Sequence, residues 1–86
     1  KMAVDLVEIQ KTVTKEDVRH IMSHNPLEPL ARSTIDQMIA AGEIKEPNRR
    51  GRYRIWTKEY IATVAEMSID NLNEILRTVY KNKKAS

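Results

Sequence analysis

The sequence predicts a mainly α-helical domain with a small β-hairpin, and two observations support that fold class. Apolar residues recur at helical spacing in several short stretches, and Thr or Ser stands at the start of most of them. Residues 52–55, RYRI, instead alternate polar and apolar side chains, as a strand does, and they follow the turn-forming Gly51. The chain of 86 residues is long enough for one domain.

Composition narrows the classes of function. The formal net charge of +3 and the pI of about 9.3 favour an anionic partner. The sequence contains no cysteine, which excludes disulfides and thiolate zinc sites. No apolar run reaches the roughly 20 residues that cross a bilayer, and no signal-peptide core follows Met2. We therefore expect no membrane partner and a cytoplasmic protein.

The chain divides into four predicted segments. Residues 1–12 form an N-terminal arm or a short strand, and the apolar pattern does not decide between them. Residues 13–67 form the folded domain, and residues 68–80 form an amphipathic helix. Residues 81–86 carry lysines with nothing to bury, which predicts a basic, frayed tail.

Two helices are predicted in the first half of the domain. Thr14 with Asp17 three residues later indicates a capped helix over residues 15–23, which ends before Asn25 and Pro26. Ser33 or Thr34 caps the next helix by the same pattern. Gly42 suits the left-handed position just after the end of that helix.

The hairpin follows this second helix. Residues 43–45 are expected to form its first strand, residues 46–51 its turn and residues 52–56 its second strand. Trp56 is expected to pack in the core, because a large aromatic residue between a strand and a helix cap usually does so. Thr57 is the expected N-cap of another helix, which begins at Lys58.

Helix, connector, helix, two-stranded wing and helix is the order of a winged helix-turn-helix. In such a module a helix enters the major groove of DNA, and the wing lays cations along the backbone or in the minor groove. The expected base-reading residues lie at the start of the second helix: Arg32, Ser33, Thr34, Asp36 and Gln37. The expected backbone contacts lie in and beside the wing: Lys45, Arg49, Arg50, Arg52, Arg54 and Lys58.

Residues 30–44, LARSTIDQMIAAGEI, resemble the recognition helix of small phage and prophage regulators. These are the excisionase-like, AlpA-type and Cox-type proteins, whose DNA-binding unit is similar to the MerR headpiece. Residues 51–55, GRYRI, match their second wing strand, and residues 57–61, TKEYI, match the helix start that follows it. The resemblance covers about residues 13–66. The connector at residues 24–30 departs from the short turn of that group.

The resemblance implies a sequence-specific binder of double-stranded DNA without enzymatic activity. Such proteins act as excisionases, which direct a recombinase, or as transcriptional regulators, and an integrase or recombinase is the implied protein partner. They bind repeated sites cooperatively and bend the DNA.

The residues themselves indicate neither a catalytic site nor a cofactor. The sequence has no Gly-rich phosphate loop, and its acids are scattered along polar faces. His20 and His24 stand four residues apart, but we expect them to be solvated rather than bound to metal. An RNA-binding role ranks below DNA, because the aromatic residues are few.

The last amphipathic helix leaves two possibilities open. Ile69, Leu72, Leu76 and Val79 fall at heptad positions, which favours self-association into a homo-oligomer. The same residues would equally serve to pack this helix onto the core. An alternative function, a winged-helix protein-interaction module, would also use this apolar helix.

Overall fold

Five helices and a three-stranded antiparallel sheet form the part of the chain that the computed structural model describes, residues 6–85, with side chains over residues 7–82. The helix-rich fold with a hairpin agrees with the prediction. The elements in chain order are α1 (Leu6–Ile9), β1 (Thr12–Thr14), α2 (Lys15–Ile21), α3 (Arg32–Ala40), β2 (Asn48–Arg50), β3 (Tyr53–Thr57), α4 (Lys58–Val64) and α5 (Ile69–Ala85).

The described part of the predicted N-terminal segment holds a helical turn and the first residue of a strand. Residues 1–5 of this predicted segment lie outside the described residues. Residues 6–9 form the single helical turn α1, and its Val7 is buried in the core. The chain then enters β1, which forms one edge of the sheet.

The sheet has the order β1-β3-β2, with β3 in the centre. Val13 of β1 lies opposite Trp56, and Arg49 of β2 lies opposite Arg54. Gly51 and Arg52 alone connect β2 to β3. Gly51 has a φ of 61°, whereas Arg52 does not have a positive φ, which fits a type II′ hairpin turn.

Side chains occupy the outer edge of β1. The Gln10 side-chain amide donates to the Thr12 carbonyl at 2.7 Å, and the Asp17 carboxylate accepts the Thr14 amide at 3.0 Å. On the inner side, the Lys58 amide donates to the Lys11 carbonyl, in step with the pairing to β3.

The first strand of the hairpin begins later than predicted. Residues 43–45 are not a strand, and β2 starts only at Asn48. The reason is tertiary packing. Ile44 is fully buried, and the Trp56 indole nitrogen donates to the Lys45 carbonyl at 2.9 Å. The Lys45 amide in turn donates to the Tyr60 hydroxyl at 2.8 Å. These bonds anchor the segment to β3 and α4.

Two of the three predicted helix caps are confirmed. The Thr14 hydroxyl accepts the Asp17 amide at 3.3 Å, which completes a capping box for α2 with the Asp17 bond to Thr14. The Thr57 hydroxyl accepts the Tyr60 amide at 3.1 Å at the start of α4.

The predicted cap of α3 is wrong. The helix begins at Arg32 with Ala31 at the N-cap, so Ser33 and Thr34 lie inside its first turn. Two bonds between Leu30 and Arg19 hold the preceding chain: the Leu30 amide donates to the Arg19 carbonyl at 3.0 Å, and Arg19 Nε donates to the Leu30 carbonyl at 2.6 Å. This anchorage to α2 positions the helix start without a side-chain cap.

The core lies between the sheet and the helices. Trp56 is 1% exposed and belongs to this core, as predicted. Apolar residues from every helix and from β1 and β3 surround it. The fully buried members with the largest side chains are Trp56, Ile35, Ile44, Ile61, Leu72, Leu76, Val13, Val18 and Val79.

The heptad residues of α5, predicted to mediate self-association, pack mostly within the monomer. Leu72 and Leu76 are fully buried in the monomer, Val79 is 2% exposed, and only Ile69 remains exposed, at 36%. These residues complete the core, as the second possibility stated. The helix continues to Ala85 and so includes residues 81–85, which the sequence assigned to a tail; Ser86 lies outside the described residues.

Ser68 separates α4 from α5. Its hydroxyl accepts the Asn71 amide at 3.1 Å, which makes it the cap of the last helix. Among the described residues, none of the helices has the length and apolar character needed to span a bilayer.

Helices α3 and α4 end in the same way but with different residues. Gly42, at a φ of 81°, and Glu66, at a φ of 57°, occupy the left-handed position after each helix. In both cases the amide of this residue and the next amide bond back to carbonyls of the last turn. Gly42 bonds to Ile39 and Glu66 to Thr63, at 3.1 Å each, and Glu43 bonds to Met38 and Met67 to Ala62, at 2.9 Å each. This is the Schellman motif, in which glycine avoids the steric penalty that a side chain incurs.

We therefore expect Glu66→Gly to stabilise the fold by about 0.5–1 kcal/mol, because it relieves the left-handed strain. Glu66→Ala, which removes the same charge but keeps a Cβ, should leave stability nearly unchanged. Gly42→Ala should destabilise by about 1 kcal/mol; a Cβ there meets nothing within 4 Å, so its penalty is purely conformational. Urea unfolding midpoints measure all three. Equal effects of Glu66→Gly and Glu66→Ala would contradict the backbone explanation.

A buried polar contact joins the end of α5 to the capping box of α2. The Tyr80 hydroxyl donates to Asp17 Oδ1 at 3.0 Å. Asp17 is 7% exposed, and its other oxygen accepts the Thr14 amide. Burial, together with the negative charge of Asp17, raises the pKa of Tyr80 to about 12. The neutral phenol is thus favoured in the folded state.

This raised pKa predicts a loss of stability at alkaline pH. An unfolded tyrosine titrates near pH 10, so the contribution of Tyr80 is complete below about pH 10 and is lost as the pH rises toward about 12. Since the side chain is only half-buried, we expect about 1 kcal/mol. Tyr80→Phe should be less stable at neutral pH but should lose less stability over this range. Tyr53→Phe, at a side chain 64% exposed, should follow the wild type. Parallel pH profiles for all three proteins would contradict the assignment.

Candidate functional site

Helix α3 exposes most of the residues predicted to read bases. Ile35 is fully buried and anchors the helix, while Arg32, Ser33, Asp36 and Gln37 are exposed. Thr34 is half-buried, so it is the least accessible of the five. Ala40 and Ala41 continue the exposed side beyond Gln37. A partner approaching this side would therefore meet Gln37 with small side chains around it.

The hairpin exposes its four arginines. Arg49, Arg50, Arg52 and Arg54 are all exposed, as predicted. Within the described part of the chain, Arg49, Arg50 and Arg52 form no ion pair with an acidic group. Arg49 also lies directly opposite Arg54, and like charges at such a position destabilise a sheet. A bound anion would relieve this repulsion.

The start of α2, helix α3 and the hairpin meet at Asp36. Its Oδ1 lies 2.6 Å from Lys15 Nζ and 3.5 Å from Arg54 Nη1. The hydrogen bond from Lys15 lowers the pKa of Asp36, and the charges of Lys15 and Arg54 add to the effect. Asp36 is thus a carboxylate that links three elements.

A second acid links α2 to α3. Glu16 accepts from Arg19 Nη1 at 2.6 Å and from Arg32 Nε at 2.9 Å. Partial burial would raise the pKa of Glu16, but the two guanidinium groups outweigh it and lower the pKa. The Arg32 side chain remains 70% exposed, so its charge is positioned at the surface.

These contacts place residues of the predicted base-reading group and of the predicted backbone-contacting group on one surface. A groove of about 310 Å³ runs between them, lined by Thr14, Lys15, Glu16, Arg32, Arg52, Tyr53 and Arg54. We call the set of cations at this groove and along the hairpin the cationic face: Lys15, Arg32, Arg49, Arg50, Arg52 and Arg54.

The sequence analysis missed Lys15 and Tyr53 as members of this surface. Lys15 follows the helix cap and is 21 residues from Asp36, so no local pattern connects the two. Tyr53 is a strand residue of the hairpin, and its alternation with Arg52 and Arg54 did not indicate that it would line the same groove as these arginines.

Lys58 is not part of the cationic face, and the prediction that it contacts DNA is wrong. It is 5% exposed, and its ammonium group donates to the Val7 carbonyl and to Asn73 Oδ1. Folding of α1 and α5 over the start of α4 buries it. Lys45 stays exposed beside the hairpin, with its ammonium group 4.6 Å from the centre of the Tyr60 ring.

The two histidines lie away from this surface. His24 is exposed, whereas His20 is half-buried and places Nδ1 2.5 Å from the Pro26 carbonyl oxygen. Over residues 6–85, no group of three or more His, Asp or Glu side chains is arranged to hold a metal ion.

Comparisons with protein-family models, with curated proteins and with solved structures found no match to this chain.

Proposed function

We propose that this chain is a winged helix-turn-helix protein that binds double-stranded DNA sequence-specifically and catalyses no reaction. The order β1-α2-α3-β2-β3, with the sheet order β1-β3-β2, supports this reading of the fold. In it α2 and α3 form the helix-turn-helix, and the turn at Gly51 is the tip of the wing. Helix α3 would enter the major groove.

The observation that carries the proposal is the continuity of the cationic face across α3 and the wing. Arg54 of the wing lies 3.5 Å from Asp36 of α3, and Arg32, Arg52 and Arg54 line one groove. Duplex DNA presents base edges in a groove flanked by rows of phosphates. A surface with exposed polar side chains beside arginines has the complementary chemistry.

The finer role is that of a phage-type excisionase, a transcriptional regulator or both. This part of the proposal rests on the resemblance of residues 30–44 and 51–61 to such regulators. An integrase or recombinase would be the protein partner of the excisionase. Cooperative binding of several copies to repeated sites would need surfaces other than the apolar side of α5, which the core occupies.

The burial of the apolar side of α5 gives less support to the alternative function, a protein-interaction module. That function required the apolar residues of α5 to be available, and Leu72, Leu76 and Val79 are buried within the monomer. Among residues 7–82, the large hydrophobic residues that remain exposed are Ile9, Leu27, Tyr53 and Ile69.

We expect the arginines at the wing tip to supply affinity rather than specificity. Arg50→Ala and Arg52→Ala, singly and together, should weaken binding to a random-sequence duplex and flatten the dependence of log K on log salt by about one unit for each lost phosphate contact. Fluorescence anisotropy over about 50 to 200 mM salt measures both quantities. Lys11→Ala removes the same charge as each single variant from an exposed site outside the cationic face and should change neither. Unchanged affinity of the double variant would overturn the proposed role of the wing.

Gln37 is expected to read a base. A duplex selected by the wild-type protein from a randomised pool provides the cognate site. Gln37→Ala should lose about 1–3 kcal/mol on this duplex and little on random sequence, because an amide that bonds adenine in the major groove distinguishes bases. Equal losses on the two duplexes would instead assign Gln37 to the DNA backbone.

A further inference from the structure

The role of Asp36 is the least expected feature of the proposed DNA-binding surface. Asp36 carries a negative charge on a surface that would face the phosphates of DNA. Its carboxylate is not isolated in solvent. It bonds Lys15 at 2.6 Å and pairs with Arg54 at 3.5 Å, so in the free protein it partly neutralises two members of the cationic face. The side chain of Asp36 is 52% exposed, and DNA on this face would come close to it.

We propose that Asp36 determines specificity by restraining the cationic face, rather than by reading a base as the sequence predicted. This inference rests on the proposed DNA binding. In the free protein, Asp36 holds Lys15 and Arg54 in fixed positions relative to α3. On arbitrary sequence the complex can shift to bring every available cation onto a phosphate, whereas base contacts of α3 fix the register at the cognate site. The pairing of Lys15 and Arg54 with Asp36 therefore lowers affinity for arbitrary sequence more than for the cognate site.

The neighbouring charges support this role. Arg49 lies opposite Arg54 in the sheet, so the single carboxylate of Asp36 faces a group of cations from α2, β2 and β3. A second groove, between α3 and β2, is lined by Asp36, Glu46, Arg49 and Arg54. Glu46 forms no ion pair with either arginine. Removal of the charge of Asp36 would therefore release Lys15 and Arg54 to pair with phosphates.

The test compares Asp36→Asn with the wild type on two duplexes: one selected by the wild type from a randomised pool, and one of random sequence. We expect Asp36→Asn to bind the random duplex about three- to tenfold more tightly, with a salt dependence steeper by about one unit. Affinity for the selected duplex should rise less, so the ratio of the two affinities falls. Asp70→Asn makes the same charge change in the first turn of α5 and should alter random-duplex affinity less than about twofold.

A double-mutant cycle with Lys15→Gln tests whether Lys15 contacts DNA or serves only to neutralise Asp36. If Lys15 contacts phosphate once released, Lys15→Gln should weaken random-duplex binding more strongly in the Asp36→Asn background than in the wild type. An Asp36→Asn protein with unchanged or weaker random-duplex affinity, or with an equal gain on both duplexes, would overturn the inference. A wild type that enriches no sequence from the pool and does not bind the random duplex would overturn the proposed function itself, and this inference with it.

Discussion

The burial of Trp56 is the constraint on which the rest of the structure depends. Its indole fills the centre of the core, and its nitrogen bonds the Lys45 carbonyl, which anchors the segment after α3 to the central strand. Since side chains alternate along a strand, Arg54 lies on the same face of β3 as Trp56, the face that packs against the helices. The position of one aromatic residue thus brings an arginine of the hairpin beside Asp36 and joins the hairpin to α3.

The cationic face has two parts with different physical properties. Glu16 and Asp36 each bridge two cations, so Arg32, Lys15 and Arg54 are held in defined positions by partners on neighbouring elements. Side chains that are already ordered lose less conformational entropy when a partner binds. The arginines at the hairpin tip have no such restraint. This would suit contacts that adapt to a phosphate backbone of variable shape, as in the proposed DNA complex. The cations held by Glu16 and Asp36 therefore supply contacts at defined positions, whereas the arginines of the hairpin tip supply positive charge that can adjust its position.

Local signals predicted much of the fold, and distant contacts account for the errors. The caps at Thr14 and Thr57 and the left-handed Gly42 depend only on near neighbours in sequence. The start of α3 depends on bonds between Leu30 and Arg19, and the burial of Lys58 depends on Val7, 51 residues away. Amphipathic spacing in α5 selected Leu72, Leu76 and Val79, which are buried, together with Ile69, which is exposed, and it did not show whether the core or a second chain covers them. Of the site, the exposed arginines were predictable, whereas the link from Lys15 to Asp36 was not.

The side-chain bonds along β1 have a consequence for the behaviour of the protein at high concentration. An exposed strand edge is a template onto which another chain can add a strand. Here Gln10 occupies the outward carbonyl of Thr12, Asp17 occupies the outward amide of Thr14, and the carbonyl of Thr14 begins the bonding of α2. At the opposite edge, β2 is three residues long and carries Arg49 and Arg50, whose charges would repel a second copy. Both edges of the sheet thus carry features that oppose the addition of a strand from another chain.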